Sequence, residues 1–259
     1  MEVAPHPIHL FCCYYLEIDD PGLLGSYRAL LTEQERATQM RFHFEKDQRC
    51  YLVTRALVRT MLSRYADIAP QDWRFTANGY GRPEIANGHP DVGGLSFNVS
   101  HTTGLIVLAV TRERQLGVDT ENLQAREPAL DIADRYFAPH EVVSLRALPA
   151  ARQNQRFFEY WTLKESYIKA RGMGLALALD SFGFSFPGDA QIEFAVDADA
   201  AGSHSAWHFW QLLLAPHYMT AVCAVRSDGQ VLPPIASKVV PLVSDCTLDY
   251  ELLRTSTNP

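Results

Sequence analysis

The chain has 259 residues, of which 47% are hydrophobic and 20% are charged, so it can bury a substantial core as one large domain or two smaller ones. Its formal net charge of -7 gives no electrostatic support for a general nucleic-acid-binding role. No apolar run approaches the length needed to cross a bilayer, so neither a nucleic acid nor a membrane is expected as a partner.

The cysteines and the N-terminus indicate a reducing compartment. An odd number of cysteines without a C-x-x-C pair indicates neither a zinc site nor a disulfide framework, and buried unpaired thiols are typical of reducing conditions. The apolar stretch from Ile8 to Leu16 follows no basic segment and is soon interrupted by Glu17, which favours a first core strand over a signal peptide. The expected location is the cytoplasm.

In chain order, the first half is predicted to contain a strand, two helices and further strands. The strand covers residues 8–18, and the first helix begins near Thr32, which forms a capping-box pattern with Glu35. A second helix is expected over residues 47–65. Two Asn-Gly pairs then mark turns between short extended pieces, and strands near residues 94–110 complete this half.

The second half is predicted to be similar in composition. A strand covers residues 117–121 and a helical segment residues 128–137, and Pro139 suits the first turn of the next helix. A long helix over residues 150–171 ends at Gly172, and short strands are expected near residues 181–186, 207–214 and 220–225. From Ser227 onward, a Pro-Pro pair and a polar end predict an irregular segment laid over the first half.

Two segments of the second half carry carboxylates that could work together. The helix Trp161-Thr-Leu-Lys-Glu165-Ser-Tyr-Ile-Lys169 is apolar almost all round, and the strand Gly117-Val-Asp119-Thr-Glu121 places both acids on one face. Converging carboxylates repel one another, and a divalent cation such as Mg²⁺ would relieve that repulsion. Taken alone, the strand motif also fits a solvated hairpin end, and the Lys-Glu-x-x-x-Lys run fits an exposed ion pair.

A third segment makes the pattern specific. Phe97-Asn-Val-Ser100-His101 precedes a buried strand, and the order Phe-Asn-x-Ser-His, Gly-x-Asp-x-Glu and Trp-x-x-Lys-Glu-Ser-x-x-Lys resembles the Sfp-type 4'-phosphopantetheinyl transferases. The resemblance extends to Tyr80-Gly81-Arg82-Pro83 and to an upstream helix with Arg55-Ala-Leu-Val-Arg59, and covers roughly residues 32–225.

The resemblance implies an α+β fold, a pseudo-dimer of two similar halves in which helices pack on a small antiparallel sheet. The expected units are an N-terminal half over residues 1–112, a C-terminal half with the metal site over residues 113–226, and a tail over residues 227–259. It also implies that coenzyme A binds between the halves. The enzyme would be a Mg²⁺-dependent monomer that transfers 4'-phosphopantetheine to a serine of apo acyl, polyketide or peptidyl carrier proteins and releases adenosine 3',5'-bisphosphate.

The family motifs assign roles residue by residue. Asp119, Glu121 and Glu165 would bind Mg²⁺, and Glu165 would be the general base, with a water on the metal as the alternative proton acceptor. Lys164 and Lys169 would contact the diphosphate, Lys169 as a catalytic residue as well.

Other positions would bind the nucleotide end of coenzyme A. Ser100 and His101 are expected near its 3'-phosphate, Gly81 would allow close approach, and Arg82 would fork onto phosphate oxygens. Arg55, with Arg59 one turn later, could present cations to the 3'-phosphate. Considered singly, His101 also fits a loop histidine bonded to backbone, residues 80–83 an ordinary turn, and the two arginines a solvated stripe.

The expected carrier surface is the segment of residues 122–137, which follows two predicted metal ligands. It offers apolar anchors and a basic rim to an acidic carrier, namely Leu123, Leu130, Ile132 and Phe137 among Arg126 and Arg135. An ordinary amphipathic surface helix is the alternative.

Two rival functions are a non-catalytic carrier or coenzyme A binding module, disfavoured by the complete acidic motif, and a small-molecule kinase, disfavoured by the absence of a phosphate-loop motif.

Overall fold

The structure is a computed structural model that describes residues 6–125, 130–196, 207–226 and 231–256. Helices pack on two main sheets that are mostly antiparallel, which confirms the α+β class. None of the helices in these ranges combines the length and the apolar character that a bilayer crossing requires.

The first half supplies a helical layer and most of one sheet. In chain order its elements are β1 (His9–Cys13), α1 (Pro21–Leu30), α2 (Glu33–Met40), α3 (Glu45–Leu62), β2 (Phe75–Ala77), β3 (Pro83–Ile85), β4 (Leu95–Thr102) and β5 (Leu105–Arg112). The predicted capping box begins α2, where Thr32 and Glu35 each accept a backbone N–H of the other. Helix α1 was not predicted; Asp20 caps it and Pro21 occupies its first turn.

The second half contains one dominant helix. Its elements are β6 (Leu116–Asn122), α4 (Ala133–Tyr136), α5 (Pro139–Arg146), α6 (Ala150–Arg171), β7 (Phe182–Ser185), β8 (Gln191–Val196), β9 (Trp207–Leu214) and β10 (Tyr218–Val225). The predicted bounds of α6 are confirmed. Gly172 ends it in the left-handed region at φ 65°, a conformation that glycine adopts without a steric penalty.

The segment after residue 231 differs from the expected irregular tail. It forms β11 (Ile235–Val240), β12 (Ser244–Thr247) and β13 (Tyr250–Ser256). Strand β11 pairs in parallel with β1, whereas β13 lies between β9 and β8 in the other sheet. The expectation was wrong for these residues because strand formation here depends on partners far away in the sequence, which the local composition does not reveal.

The two sheets pack face to face. Their strand orders are β12-β11-β1-β5-β4 and β6-β10-β9-β13-β8-β7. Successive side chains of β5 point to opposite faces of the sheet. Leu108 faces α3, and Val107 faces the second sheet. The second sheet is in turn covered by α6 through Phe209 and Ala221. Strand β5 is apolar from Leu105 to Val110, as suits a strand that is buried on both faces.

A polar seam joins the edge strands β4 and β6. The side chains of Asn98, Ser100 and Thr102 on β4 accept the backbone N–H groups of Val118, Thr120 and Asn122 on β6, at 2.9, 3.3 and 3.2 Å. Each acceptor and its donor residue are separated by the same interval of 20 positions. The N–H groups at this edge of β6 have no neighbouring strand in their own sheet, and every second side chain of β4 supplies the missing acceptor.

Helix α6 approaches the backbone of β6 at Gly117. A Cβ atom at this position would lie 2.0 Å from the carbonyl oxygen of Ser166 and 2.4 Å from the backbone nitrogen of Ala170. Neither backbone group can yield without moving the helix. The glycine therefore sets how closely α6 packs on the strand that carries Asp119 and Glu121.

We expect Gly117→Ala to lower the free energy of unfolding by about 1–3 kcal/mol, because the added methyl group overpacks this contact. Urea unfolding measures the effect. Gly25→Ala in α1 is the control, since its Cβ would meet nothing within 4 Å, and it should be neutral or stabilise by about 0.5–1 kcal/mol. Equal unfolding midpoints for the two variants would show that the approach of α6 is not tight.

Candidate active site

Two cavities meet at the seam. The larger, about 580 Å³, is lined by Arg55, His101 and Glu121 among others, and the smaller, about 250 Å³, by Gly81, Glu165 and Lys169. Val99 of β4 lines both cavities. The structure therefore brings predicted site residues from both halves to one place, beside the edge of β4.

At the centre lies a network of Lys169, Asp119 and Ser100. The Lys169 ammonium contacts Asp119 Oδ1 at 2.6 Å and donates to Ser100 Oγ at 2.8 Å. Ser100 Oγ donates to Asp119 Oδ1 at 2.9 Å and also accepts the N–H of Thr120. One donor and two acceptor positions exhaust a hydroxyl group, so in this arrangement the Ser100 side chain positions Asp119 and Lys169. Its predicted contact with the nucleotide stays a prediction.

Glu165 lies one helical turn before Lys169 and beside Asp119. Burial and the negative charge of Asp119 raise the pKa of the Glu165 carboxyl, and the opposing charge of Lys169 offsets only part of that increase. A carboxylate with a raised pKa is a stronger base than an exposed one. The arrangement is thus suited to accepting a proton at a site with a cation at hand.

The predicted three-carboxylate metal site is only partly assembled. In the described part of the chain, no group of three or more His, Cys, Asp or Glu side chains is placed to hold a metal ion. Glu121 instead accepts a hydrogen bond from Thr102 at 3.4 Å and lines the larger cavity. Asp119 Oδ2, however, is buried and has no hydrogen-bond partner among the described residues. This oxygen, together with the neighbouring Glu165, fits the hard donors that Mg²⁺ prefers.

Lys164 does not face the cavities, which corrects its predicted diphosphate contact. Its side chain is 0% exposed and its ammonium is 2.8 Å from Glu141 Oε2. The ammonium also donates to the carbonyl oxygens of Leu179 and Phe182, so all three donors are used. Glu141, which sequence reasoning missed, additionally accepts backbone N–H groups from Ala138 and Phe184. The apolar surroundings of Lys164 in the sequence were the available signal.

Arg82 lines the smaller cavity and holds the end of α6, and its predicted contact with phosphate oxygens stays a prediction. Its guanidinium donates to the carbonyl oxygens of Lys169, Ala170 and Leu116. These groups include carbonyls that a helix end leaves unpaired. Nearby Asn78 donates to the carbonyl of Gly172 at 2.9 Å. The β2–β3 turn thus docks the first half onto α6, and Gly81, at φ 87°, forms part of this turn and of the smaller cavity wall.

The two arginines of α3 do not form a shared cationic face. Arg59 is buried and bonds Glu35 together with the carbonyl oxygens of Pro70 and Trp73. Arg55 also pairs with Glu35 and stacks on Phe75, 4.7 Å from the ring centre. Of the two, only Arg55 lines the larger cavity.

His101 lies at the wall of the larger cavity, where solvent still reaches its ring. The surrounding protein atoms nevertheless remove part of the hydration of the imidazolium. This desolvation, with the positive charge of Lys169, lowers the pKa of His101 below the ordinary histidine value. The neutral ring is therefore favoured near pH 7.

The predicted docking segment offers fewer anchors than expected. Phe137 is buried, and the other apolar residues pack against the core of the second half, namely Leu123, Leu130 and Ile132. Arg135 is exposed and lies over the ring of Tyr136, whereas Arg126 falls outside the described residues.

Two neighbouring lysines allow a direct test of these assignments. We expect Lys164→Met to lower the free energy of unfolding by about 3–5 kcal/mol, because it leaves the buried Glu141 carboxylate unpaired. Lys169→Met, at a partly exposed pair, should cost about 1 kcal/mol or less. Urea unfolding measures both, with the exposed Lys46→Met as control. A smaller loss for Lys164→Met than for Lys169→Met would contradict the two placements.

Family models and known proteins match most of the chain. A family model described as the 4'-phosphopantetheinyl transferase superfamily matches residues 115–224, and one described as the N-terminal part of 4'-phosphopantetheinyl transferase matches residues 24–113. The chain is 32% identical over 202 residues to the 4'-phosphopantetheinyl transferase Sfp of Bacillus subtilis, covering 78% of this chain and 85% of that protein. It is 34% identical over 170 residues to HetI of Nostoc sp., covering 65% and 70%. This chain belongs to the 4'-phosphopantetheinyl transferase superfamily.

Proposed function

We propose that this member of the family transfers 4'-phosphopantetheine from coenzyme A to a serine of an apo carrier protein. The serine oxygen forms a bond to the β-phosphorus of coenzyme A while the bond to the leaving phosphate breaks, releasing adenosine 3',5'-bisphosphate. The observation that carries the proposal is the group of Lys169, Asp119 and Glu165, which joins a cation and two carboxylates where the two cavities meet. A diphosphate substrate needs positive charge beside it as its leaving group gains charge; the Lys169 ammonium supplies one cation, and the two carboxylates would hold a second in the form of Mg²⁺.

The position of each residue indicates its proposed role. Lys169, the partly exposed lysine of α6, is proposed to contact the diphosphate, and Asp119 and Ser100 hold its ammonium toward the cavity. Glu165 is proposed to accept the proton of the attacking serine, a role that its raised pKa supports. The buried Lys164 and Arg59 support this arrangement from behind through their ion pairs with Glu141 and Glu35. Arg82 supports it from the wall of the smaller cavity through its hydrogen bonds to the end of α6.

Mg²⁺ is proposed as the metal cofactor, with Asp119 and Glu165 as ligands and Glu121 as the third carboxylate. Mg²⁺ is usually bound through one or two carboxylates together with substrate phosphates, so a preassembled three-carboxylate cage is not required. When bound, the metal would neutralise charge on the diphosphate. Coordination lowers the basicity of a carboxylate, so a water on the metal would be the alternative proton acceptor.

His101 and Arg55 are proposed to face the nucleotide end of coenzyme A. Both line the larger cavity, and one presents an imidazole and the other a guanidinium to a 3'-phosphate. We also propose that the protein acts in the cytoplasm, where carrier proteins and coenzyme A are found, and that it is a monomer.

The activity test is mass spectrometry of a carrier incubated with the protein, coenzyme A and Mg²⁺. We expect one phosphopantetheinyl group on one serine of an acyl, polyketide or peptidyl carrier. Glu165→Gln should lower the rate by about 10²–10⁴-fold because it removes the base, and Asp119→Asn should have an effect of similar size. The exposed Glu84→Gln on β3 is the control and should retain the wild-type rate. Absence of transfer to all three carrier classes would favour a binding module.

A pH series tests the placement of His101. Because its pKa is lowered in the unliganded protein, a bound phosphate should raise that pKa and bring a proton with it. The affinity for coenzyme A contributed by His101 should therefore rise as the pH falls through and below the ordinary histidine range.

Calorimetric titrations of the wild type and His101→Gln at pH 8 and pH 6 measure this contribution. The ratio of the two dissociation constants should be near unity at the higher pH and grow up to about tenfold at the lower. The phosphate of coenzyme A also titrates in this pH range, but it affects both dissociation constants equally and therefore drops out of their ratio. A ratio that stays constant with pH would remove His101 from the nucleotide site.

A further inference from the structure

Three large apolar side chains are exposed to solvent at the end of α2 and in the turn that leads to α3. Met40 is 72% exposed, Phe42 39% and Phe44 59%. Single exposed apolar residues are ordinary, but three within five positions form a concentrated apolar surface. We call residues 40–46 the α2–α3 patch.

The backbone of the α2–α3 patch is held in place. The buried Gln39 donates to the carbonyl oxygen of Gln48, and the Gln48 side chain donates in turn to the carbonyl oxygen of Phe42 at 2.9 Å. The N–H of Asp47 bonds the carbonyl of Phe44 at 3.0 Å. The apolar side chains therefore project from a pinned turn.

The charge around these side chains is locally positive. Arg41, His43 and Lys46 are exposed, and within the described ranges neither Arg41 nor Lys46 forms an ion pair. Glu45, the acid within the patch, contacts Arg49 at 3.4 Å. A cationic rim around apolar anchors is unexpected in a chain whose formal net charge is -7.

The patch borders the cleft. Phe42 packs on Tyr51 with ring centres 5.5 Å apart, and both side chains line the larger cavity together with His101 and Glu121. A helix resting on Met40 and Phe44 would thus lie beside the cavity that leads to the Lys169 network.

We propose that the α2–α3 patch docks the carrier protein, through an acidic amphipathic helix next to the carrier's acceptor serine. The inference rests on the proposed transferase function and places docking on the first half of the chain, not on residues 122–137. Apolar anchors match the apolar face of such a helix, and Arg41 and Lys46 match its acids.

The test compares steady-state constants for carrier and coenzyme A. Met40→Ser combined with Phe44→Ser should raise the Michaelis constant for an acidic acyl carrier protein about tenfold or more and leave that for coenzyme A unchanged. Arg41→Glu combined with Lys46→Glu should raise it most at low salt and less at high salt. Phe42 is left intact because it lines the cavity.

Controls separate this inference from its alternatives. Leu232→Ser, at a residue 54% exposed before β11, should not change either constant, and thermal unfolding should show all variants folded. Unchanged carrier constants in the patch variants, or an effect confined to Arg135→Glu, would overturn the patch while leaving the transferase intact. No transfer by the wild type would overturn both. A wild-type dimer in sedimentation that the patch variants dissociate would show that a second copy of the chain covers the patch.

Discussion

The structure depends on the polar seam between β4 and β6, the edge strands of two different sheets. An edge strand exposes a row of N–H groups that must find partners or water. Here Asn98, Ser100 and Thr102 supply side-chain oxygens to that row at every second residue. Because the side chains of a strand alternate, a slip of one position would turn all three acceptors away at once. The seam thus fixes the register between the two halves of the molecule and, with it, the position of Asp119.

The position of Lys169 is set by this register and by the packing of α6. Gly117 brings the helix against β6, Arg82 and Asn78 bond its C-terminal carbonyls, and the Lys164–Glu141 pair holds its opposite side. With position and rotation both determined, Glu165 and Lys169 face the cavities while Lys164 faces the core. The two lysines of one motif consequently differ in position: Lys164 holds the helix, and Lys169 is the one proposed to contact the substrate.

Local pattern predicted much of this fold but only part of the site. The bounds of α6, its end at Gly172 and the capping box before α2 follow from interactions within a few residues, and all are confirmed. The burial of Lys164, the use of Arg82 at a helix end and strands β11 to β13 depend on distant partners. A family motif identifies positions that require a lysine, but it does not say what each lysine binds. A lysine that pairs with a buried carboxylate such as Glu141 and a lysine that binds a phosphate look alike in sequence. The motif likewise predicted that three carboxylates share one metal site, but the described part of the structure does not place them in one group.

The central claim is that Lys169, presented by the seam, and not Lys164, meets the diphosphate of coenzyme A. A crystal structure of the protein with coenzyme A and Mg²⁺ tests it most directly. The account predicts the diphosphate between Lys169 and the carboxylates of Asp119 and Glu165, with the nucleotide end toward His101, the Lys164–Glu141 pair intact and the three seam contacts preserved. A diphosphate held by Lys164 and not by Lys169, or a coenzyme bound away from the two cavities, would contradict the account.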